Sequence, residues 1–272
     1  MNNNISSLYN TLQDGVNDVQ SRIAKTSNEL ASGKQPLSKQ DASVVARLSN
    51  TALSQSGIKA NITNANNLID VSQTGLSSVA TILTEMKGLA VQISDGLSNE
   101  ADQASLLRTF RQLSSQVDGI AATTNINGNN LLSGGQSISV VSATDGSNNQ
   151  TTTIQGIDIP SLQAQINDLP FDGGSDQIKQ SATTAITLLN QFISNISSAQ
   201  SSLTAAKDSL DVSLSTSNDV ALKAQKTVDQ IQNVDITALQ MQLQQLNNQQ
   251  TLDFQVTSQL RSMASSILSI FR

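Results

Sequence analysis

IKANITNANNLIDVSQTGLSSVATILTEMKGLAVQI, from Ile58 to Ile93, decides the fold. Its apolar side chains fall at Ile58, Ile62, Ala65, Ile69, Leu76, Val79, Leu83, Met86, Ala90 and Ile93, in alternating steps of four and three. Only Ser72 interrupts them. On a helix with 3.6 residues per turn this spacing lays a narrow stripe down one side, and a stripe sustained over about five heptads is a coiled-coil seam. Such a seam needs a facing one. Leu189, Phe192, Ile196, Ala199, Leu203, Ala206 and Leu210 repeat the same steps. The expectation is a mainly α fold, an elongated antiparallel helical bundle or coiled coil.

Outward from that seam, the punctuation is clear. Ser38, with Asp41 three residues on, can cap the start of the long helix, and Gly96 marks its end. Asn99 with Asp102 starts a further helix carrying Leu106, Phe110, Leu113, Val117 and Ile120. Between about Asn125 and Gly174 the character changes. Ile138 to Val141 and Thr151 to Ile159 have strand-like composition and flank the turn signal Asp145-Gly146-Ser147, which predicts a β-hairpin with loops near 135–175. Pro160 and Pro170 lie in this stretch. Ser175 can cap the next helix, and Asp176 complements its dipole.

Both ends of the chain read as amphipathic helices. The first carries Ile5, Leu8, Leu12, Val16 or Val19, Ile23 and Leu30, then stops near Ser32-Gly33, with Pro36 beyond. The last runs from about Asp235 and carries Leu239, Leu243, Leu246, Leu260, Ala264, Ile267 and Phe271, with Gln249-Gln250 weakening the seam. Helices with incomplete seams are marginal alone and gain stability from a partner.

Composition narrows the function classes. The chain of 272 residues has no His and no Cys, so the common general base, the thiol nucleophile and the usual transition-metal ligands are missing, and no catalytic, cofactor or metal site is expected. Asp172-Gly173-Gly174 before Asp176 lacks the ligand spacing of a calcium loop and reads as a turn and cap. Net charge is −6 with no basic cluster, which gives nucleic acid no footprint. No apolar run reaches the ~20 residues of a membrane helix. Charged residues are only 13% and aromatics 2%, so the surface is rich in hydroxyls and amides and can pack against copies of itself at little desolvation cost. The opening Met1-Asn2-Asn3-Asn4-Ile5 lacks the basic and apolar regions of a cleavable secretion signal.

Several motifs, in order and at both ends, resemble the bacterial flagellins. Asn4-Ile5 with Ser7-Leu8 is similar to that family's opening. Leu30-Ala31-Ser32-Gly33-Lys34, then Ser38 and Asp41-Ala42, resembles its "LSSG…SA-DDAA" segment, with Gln40 where a second Asp is usual. Asn64-Ala65-Asn66 with Gln73-Thr74 and Leu76 resembles "RNANDGISLxQTAEGAL", and Leu89-Ala90-Val91-Gln92 is "LAVQ". Asn127-Gly128 with Leu131-Leu132 resembles "FNGxxLL", with Ile126 for the usual Phe, and the ending Ser266 to Arg272 is similar to "LSLLR". The resemblance covers about residues 2–135 and 176–272, without the large variable outer domains of longer members.

What the resemblance implies is specific. Residues 1–40 and 234–272 would pair as a terminal polymerisation domain, the inner core of a filament, and 41–233 would form the outer core with the hairpin. Self-assembly would run through Ile5, Leu8, Leu12, Ile23, Leu30, Leu239, Leu243, Leu246, Leu260, Ile267, Leu268, Phe271 and Arg272. The partners would be further copies of the chain, the flagellar type III export apparatus, a flagellin chaperone, and the filament cap and hook–filament junction proteins. The site would be the extracellular filament. A hook–filament junction protein, similar at both termini, and a type III secretion translocator or tip protein are the alternatives. In flagellins detected by the innate flagellin receptor, an Arg before "LAVQ" and a Glu on the next helix are principal contacts. The matching positions here are Glu85 and Thr109, with Leu89 retained, which implies poor detection.

Overall fold

The computed structural model describes residues 2–95, 99–144 and 148–270, with side chains described for 7–263 and 265–266 within them. Among the described residues six helices and two strands follow in the order α1 (Asn2–Ser32), α2 (Lys39–Ser94), α3 (Glu100–Thr123), β1 (Ile138–Thr144), β2 (Asn149–Ile154), α4 (Ile159–Asn167), α5 (Ser175–Gln232) and α6 (Ile236–Ile270). They divide into two compact units, Met1–Ser49 with Ala224–Arg272, and Asn50–Lys223.

The larger unit, 50–223, is built on the two seams. Ile62, Ile69, Leu76, Val79, Leu83, Met86 and Ala90 of α2 are buried, as are Leu189, Phe192, Ile196, Leu203 and Leu210 of α5, all in one apolar cluster. Ser72 is buried within the seam, and its hydroxyl donates to the Leu68 carbonyl at 2.7 Å, so the break in the stripe is satisfied inside its own helix. Polar pairs fix the register. Lys59 donates to Asn218, Asn66 to Asp211, Lys207 to Asp70, Gln73 to Thr204 and Gln200 to Ser77. Each advance along α2 meets an equal retreat along α5, as antiparallel pairing requires.

Helix α3 adds Leu107, Phe110, Val117 and Ala121 to the same cluster. Its start is as expected: the Asn99 side chain accepts from the Asp102 backbone at 2.9 Å. The β1–β2 hairpin is antiparallel, with Ile138 opposite Ile154 and an irregularity between Val141 and Ala143, and it buries Val140 and Ile154 against the helices. The turn signal at 145–147 and Gly96 lie outside the described residues.

Two local readings are corrected. The strand-like run to Ile159 ends at Ile154, and a short helix begins at Ile159. Pro160 sits in its first turn, where a missing N–H costs nothing, and Asp158 caps it, accepting from the Ser161 backbone at 3.1 Å and from its hydroxyl at 2.6 Å. Ser175 is the first residue of α5, so the cap position falls to Gly174, whose carbonyl accepts from Ile178. Gly156 is required between hairpin and α4, since a Cβ there would lie 2.3 Å from the Gln136 carbonyl oxygen.

Candidate assembly surface

The smaller unit is where the two ends of the chain meet. Gly33 takes a positive φ of 66°, which closes α1 without strain, and the chain turns at once into α2. Ser38 caps α2, accepting from the Asp41 backbone at 3.1 Å and donating to its carboxylate at 2.7 Å. Asp235 caps α6, accepting from the Ala238 backbone at 3.1 Å. These two breaks lie side by side. Gln35 donates its backbone N–H to the Gln232 carbonyl at 2.9 Å, Val234 donates to Gly33 at 3.3 Å, and Lys34 bridges to Asn233.

From this junction α1 and α6 pack on each other. At the far side, Arg261 donates to the Tyr9 hydroxyl at 2.8 Å and lies 5.7 Å from its ring centre, so the pair is antiparallel. The sheltered row of α1 is Tyr9, Leu12, Val16, Val19, Ile23, Thr26 and Leu30, with Ser27 and Glu29 half-buried beside its end. Those of α6 are Leu239, Leu243, Leu246, Gln250, Asp253, Thr257 and Leu260. Both rows step by three and four. Val16 and Val19 share the face, and the row of α6 runs on through polar residues where the apolar stripe thins.

The seam of this pair is thinner than that of the larger unit. Only Val19, Thr26, Leu239 and Leu246 of these rows are buried, and the rest are half-buried. Among the named assembly positions, Leu12, Ile23, Leu30, Leu239, Leu243, Leu246 and Leu260 therefore lie on sheltered faces, and Leu8 is 50% exposed. The side chains of Ile5, Ile267 and Leu268, and the residues Phe271 and Arg272, lie outside the described residues.

Helix α6 also carries apolar side chains outside that stripe. Met241, Leu252, Val256 and Met263 are 58%, 59%, 46% and 56% exposed. Their separations of eleven, four and seven place them on one side of the helix, about a third of a turn from the sheltered row. Ile236 and Phe254 are exposed as well. Isolated exposed apolar residues are ordinary, but an aligned row on a helix is a second packing face. A search for rows at either three-and-four phase, instead of for one stripe, could have found it.

The receptor-equivalent positions lie in the larger unit. Glu85 and Thr109 are exposed, and Leu89 is half-buried against the apolar cluster. The Thr109 hydroxyl is turned back onto the Ser105 carbonyl at 3.2 Å.

Comparison with known proteins agrees with this architecture. Residues 1–137 match the family described as the bacterial flagellin N-terminal helical region. The chain is 30% identical over 138 residues to flagellin B of Vibrio cholerae serotype O1, an alignment spanning 49% of this chain and 36% of that protein's length. It is 25% identical over 230 residues to a flagellin of Listeria innocua, spanning 79% of this chain and 80% of that one. The crystal structure of Bacillus cereus flagellin superposes with a TM-score of 0.50 at 29% identity, covering 58% of this chain and 88% of that one.

Proposed function

The chain belongs to the bacterial flagellin family, and on that premise we propose that it is the structural subunit of an extracellular flagellar filament, polymerising with copies of itself for motility. The observation that carries this reading is the uncovered row Met241, Leu252, Val256 and Met263 on α6. Two helices that bury only part of their apolar surface against each other gain by burying the remainder between subunits. A contact of one face of α6 with a different face of a neighbour is heterologous, and heterologous contacts that do not close produce helical filaments.

In this reading, about 1–40 with 234–272 form the inner core of the filament and 41–233 the outer core. The sheltered leucines hold the pair together, and the second face of α6 joins subunits. Export through the flagellar type III apparatus, with a chaperone over the apolar residues of α6, fits a segment that is sticky until polymerised. The cap and junction proteins would meet the same surfaces at the ends of the filament. The role is structural, with no catalytic step.

Seeded polymerisation followed by electron microscopy tests the proposal. A Leu252→Asp, Val256→Asp variant should fold but fail to elongate seeds, because each carboxylate would be buried at a subunit contact. Its elongation at the parent rate would sink the reading. Short collars in place of long filaments from the parent protein would favour a junction role.

The innate flagellin receptor would detect this subunit poorly. Glu85 puts a negative charge where detected flagellins offer an Arg, and Thr109 supplies no carboxylate. Strong signalling by the unmodified monomer in a reporter-cell assay would end that expectation, and a Glu85→Arg, Thr109→Glu variant should gain activity.

A further inference from the structure

The geometry points to a binding groove for a carboxylate borne on an apolar body, between α3 and the start of α5 in the unit 50–223. The groove encloses about 510 Å³, within the usual range for small-ligand sites. Its apolar lining comes from Leu107, Phe171 and Ile178. The rest of the lining carries several donors without a protein partner among the described residues.

Gln103 is the clearest of them. It lines the groove and is 8% exposed, and its side-chain amide has no hydrogen-bond partner among the described residues. The side chain is nearly enclosed while its amide is not sealed from solvent, so the amide opens onto the groove with no protein partner, where a polar group can be received. Arg111, two turns further along the same helix face, has no ion-pair or hydrogen-bond partner among the described residues. Arg108 spends only its Nε, on the Ala104 carbonyl at 3.3 Å, leaving its terminal N–H groups free to fork onto an anion. The start of α5 closes the far side. Ile178 is the first residue of its opening turn whose N–H is taken, by Gly174, so the N–H groups before it remain on offer.

Acceptors are fewer. Glu100 and Asp172 lie at the same groove, but neither forms an ion pair with Arg108 or Arg111. Asp176 is engaged by Lys179 at 3.9 Å. Two cations, an amide without a protein partner and a helix start around an apolar lining therefore suit a carboxylate with an aromatic or aliphatic body. The two rim acids keep the net field small, so affinity should be near the millimolar level, ~1 mM. That chemistry has two possible sources, a free amphipathic acid or an acidic side chain of a neighbouring copy. The monomer experiment below stands independently of the filament reading.

The test is a titration of the isotope-labelled full-length monomer with N-acetylphenylalanine and, separately, with its uncharged amide. The acid should give saturable shifts of the backbone amides of Gln103, Arg111, Gly173 and Gly174, and the amide should not. Gln103→Leu and Arg111→Gln should each weaken binding by about tenfold or more. Their melting temperatures should stay unchanged, which separates lost recognition from lost folding. No saturation by the acid, equal saturation by acid and amide, or unchanged binding in both variants would overturn the proposal. Equilibrium dialysis against seeded filaments then assigns the source. Binding at the monomer's affinity means a free ligand, whereas binding lost on polymerisation, with slower elongation of Arg111→Gln, means a neighbour's acidic side chain.

Discussion

The α2–α5 coil and the α1–α6 pair are written in the same three-and-four spacing, yet they are finished to different degrees. In the coil, seam residues such as Ile62, Leu76, Leu83 and Leu189 have essentially no exposure, and polar pairs from Lys59–Asn218 to Ser77–Gln200 lock the register. In the terminal pair most seam residues are half-buried, Thr26, Gln250, Asp253 and Thr257 occupy seam positions, and α6 keeps a second apolar row in the open. The difference teaches that heptad spacing states that a helix will pack but not with how many partners. A seam that closes within the chain is core; a seam left half-open beside a second face is an interface in waiting.

Truncation of seam leucines should show the contrast most strongly. Leu83→Ala and Leu203→Ala each remove a buried side chain and should cost about 2–5 kcal/mol. Leu12→Ala and Leu243→Ala, at half-buried positions, should cost about 1 kcal/mol in the monomer, in proportion to the smaller area withdrawn from water. Thermal melts of the four variants check this. Equal losses at all four would erase the distinction between the regions.

Acid sharpens the comparison next, because one device of the larger unit is titratable. The Ser161 hydroxyl and backbone N–H, with a smaller contribution from the Gly134 N–H, hold the Asp158 carboxyl below its ordinary value. A carboxyl lowered in the folded state contributes stability above its unfolded pKa, and that contribution is lost as pH falls through the folded pKa. Asp158→Ala should cost about 1 kcal/mol at neutral pH, as loss of a helix cap does. The cost should vanish in melts at a pH below the folded pKa. A cost independent of pH would mean that the cap acts through shape alone.

Glycine replacements give the smallest effect and separate propensity from packing. A Cβ at Gly57 in α2 or at Gly15 in α1 would meet nothing within 4 Å. Each →Ala change should add about 0.5–1 kcal/mol of helix stability. In the coil this should appear only as a small rise in melting temperature. In α1 it should also raise the helix content of the monomer, read by circular dichroism, since that helix has less packing to rely on.

Much of the coil was legible in the residues. The stripes of 58–93 and 189–210, the caps at Ser38 and Asn99, and the stop at Gly33 all follow from spacing and side-chain chemistry that act locally. Helix α4 was not legible, because Pro160 reads as a breaker until Asp158 is seen to cap the turn that contains it. The continuation of the α6 row through Gln250, Asp253 and Thr257 was hidden, since polar side chains at a seam carry no apolar signal. Tyr9 and Arg261 could not be paired from sequence, because the register between distant helices is set by the whole packing. For the assembly surface, the sheltered leucines were visible as a stripe, whereas the second face of α6 emerged only once the first had been assigned to α1. Glu85 and Thr109 were singled out by resemblance alone, and nothing in their spacing marks them.

Hydrogen exchange on monomer and filament, read segment by segment, tests the central claim most directly. If the terminal unit is completed by its neighbours, amides of residues 9–30 and 239–260 should exchange readily in the monomer and become strongly protected on polymerisation. Those of 58–93 and 189–210 should be protected alike in both states. Equal protection of the terminal segments in monomer and filament would contradict the account.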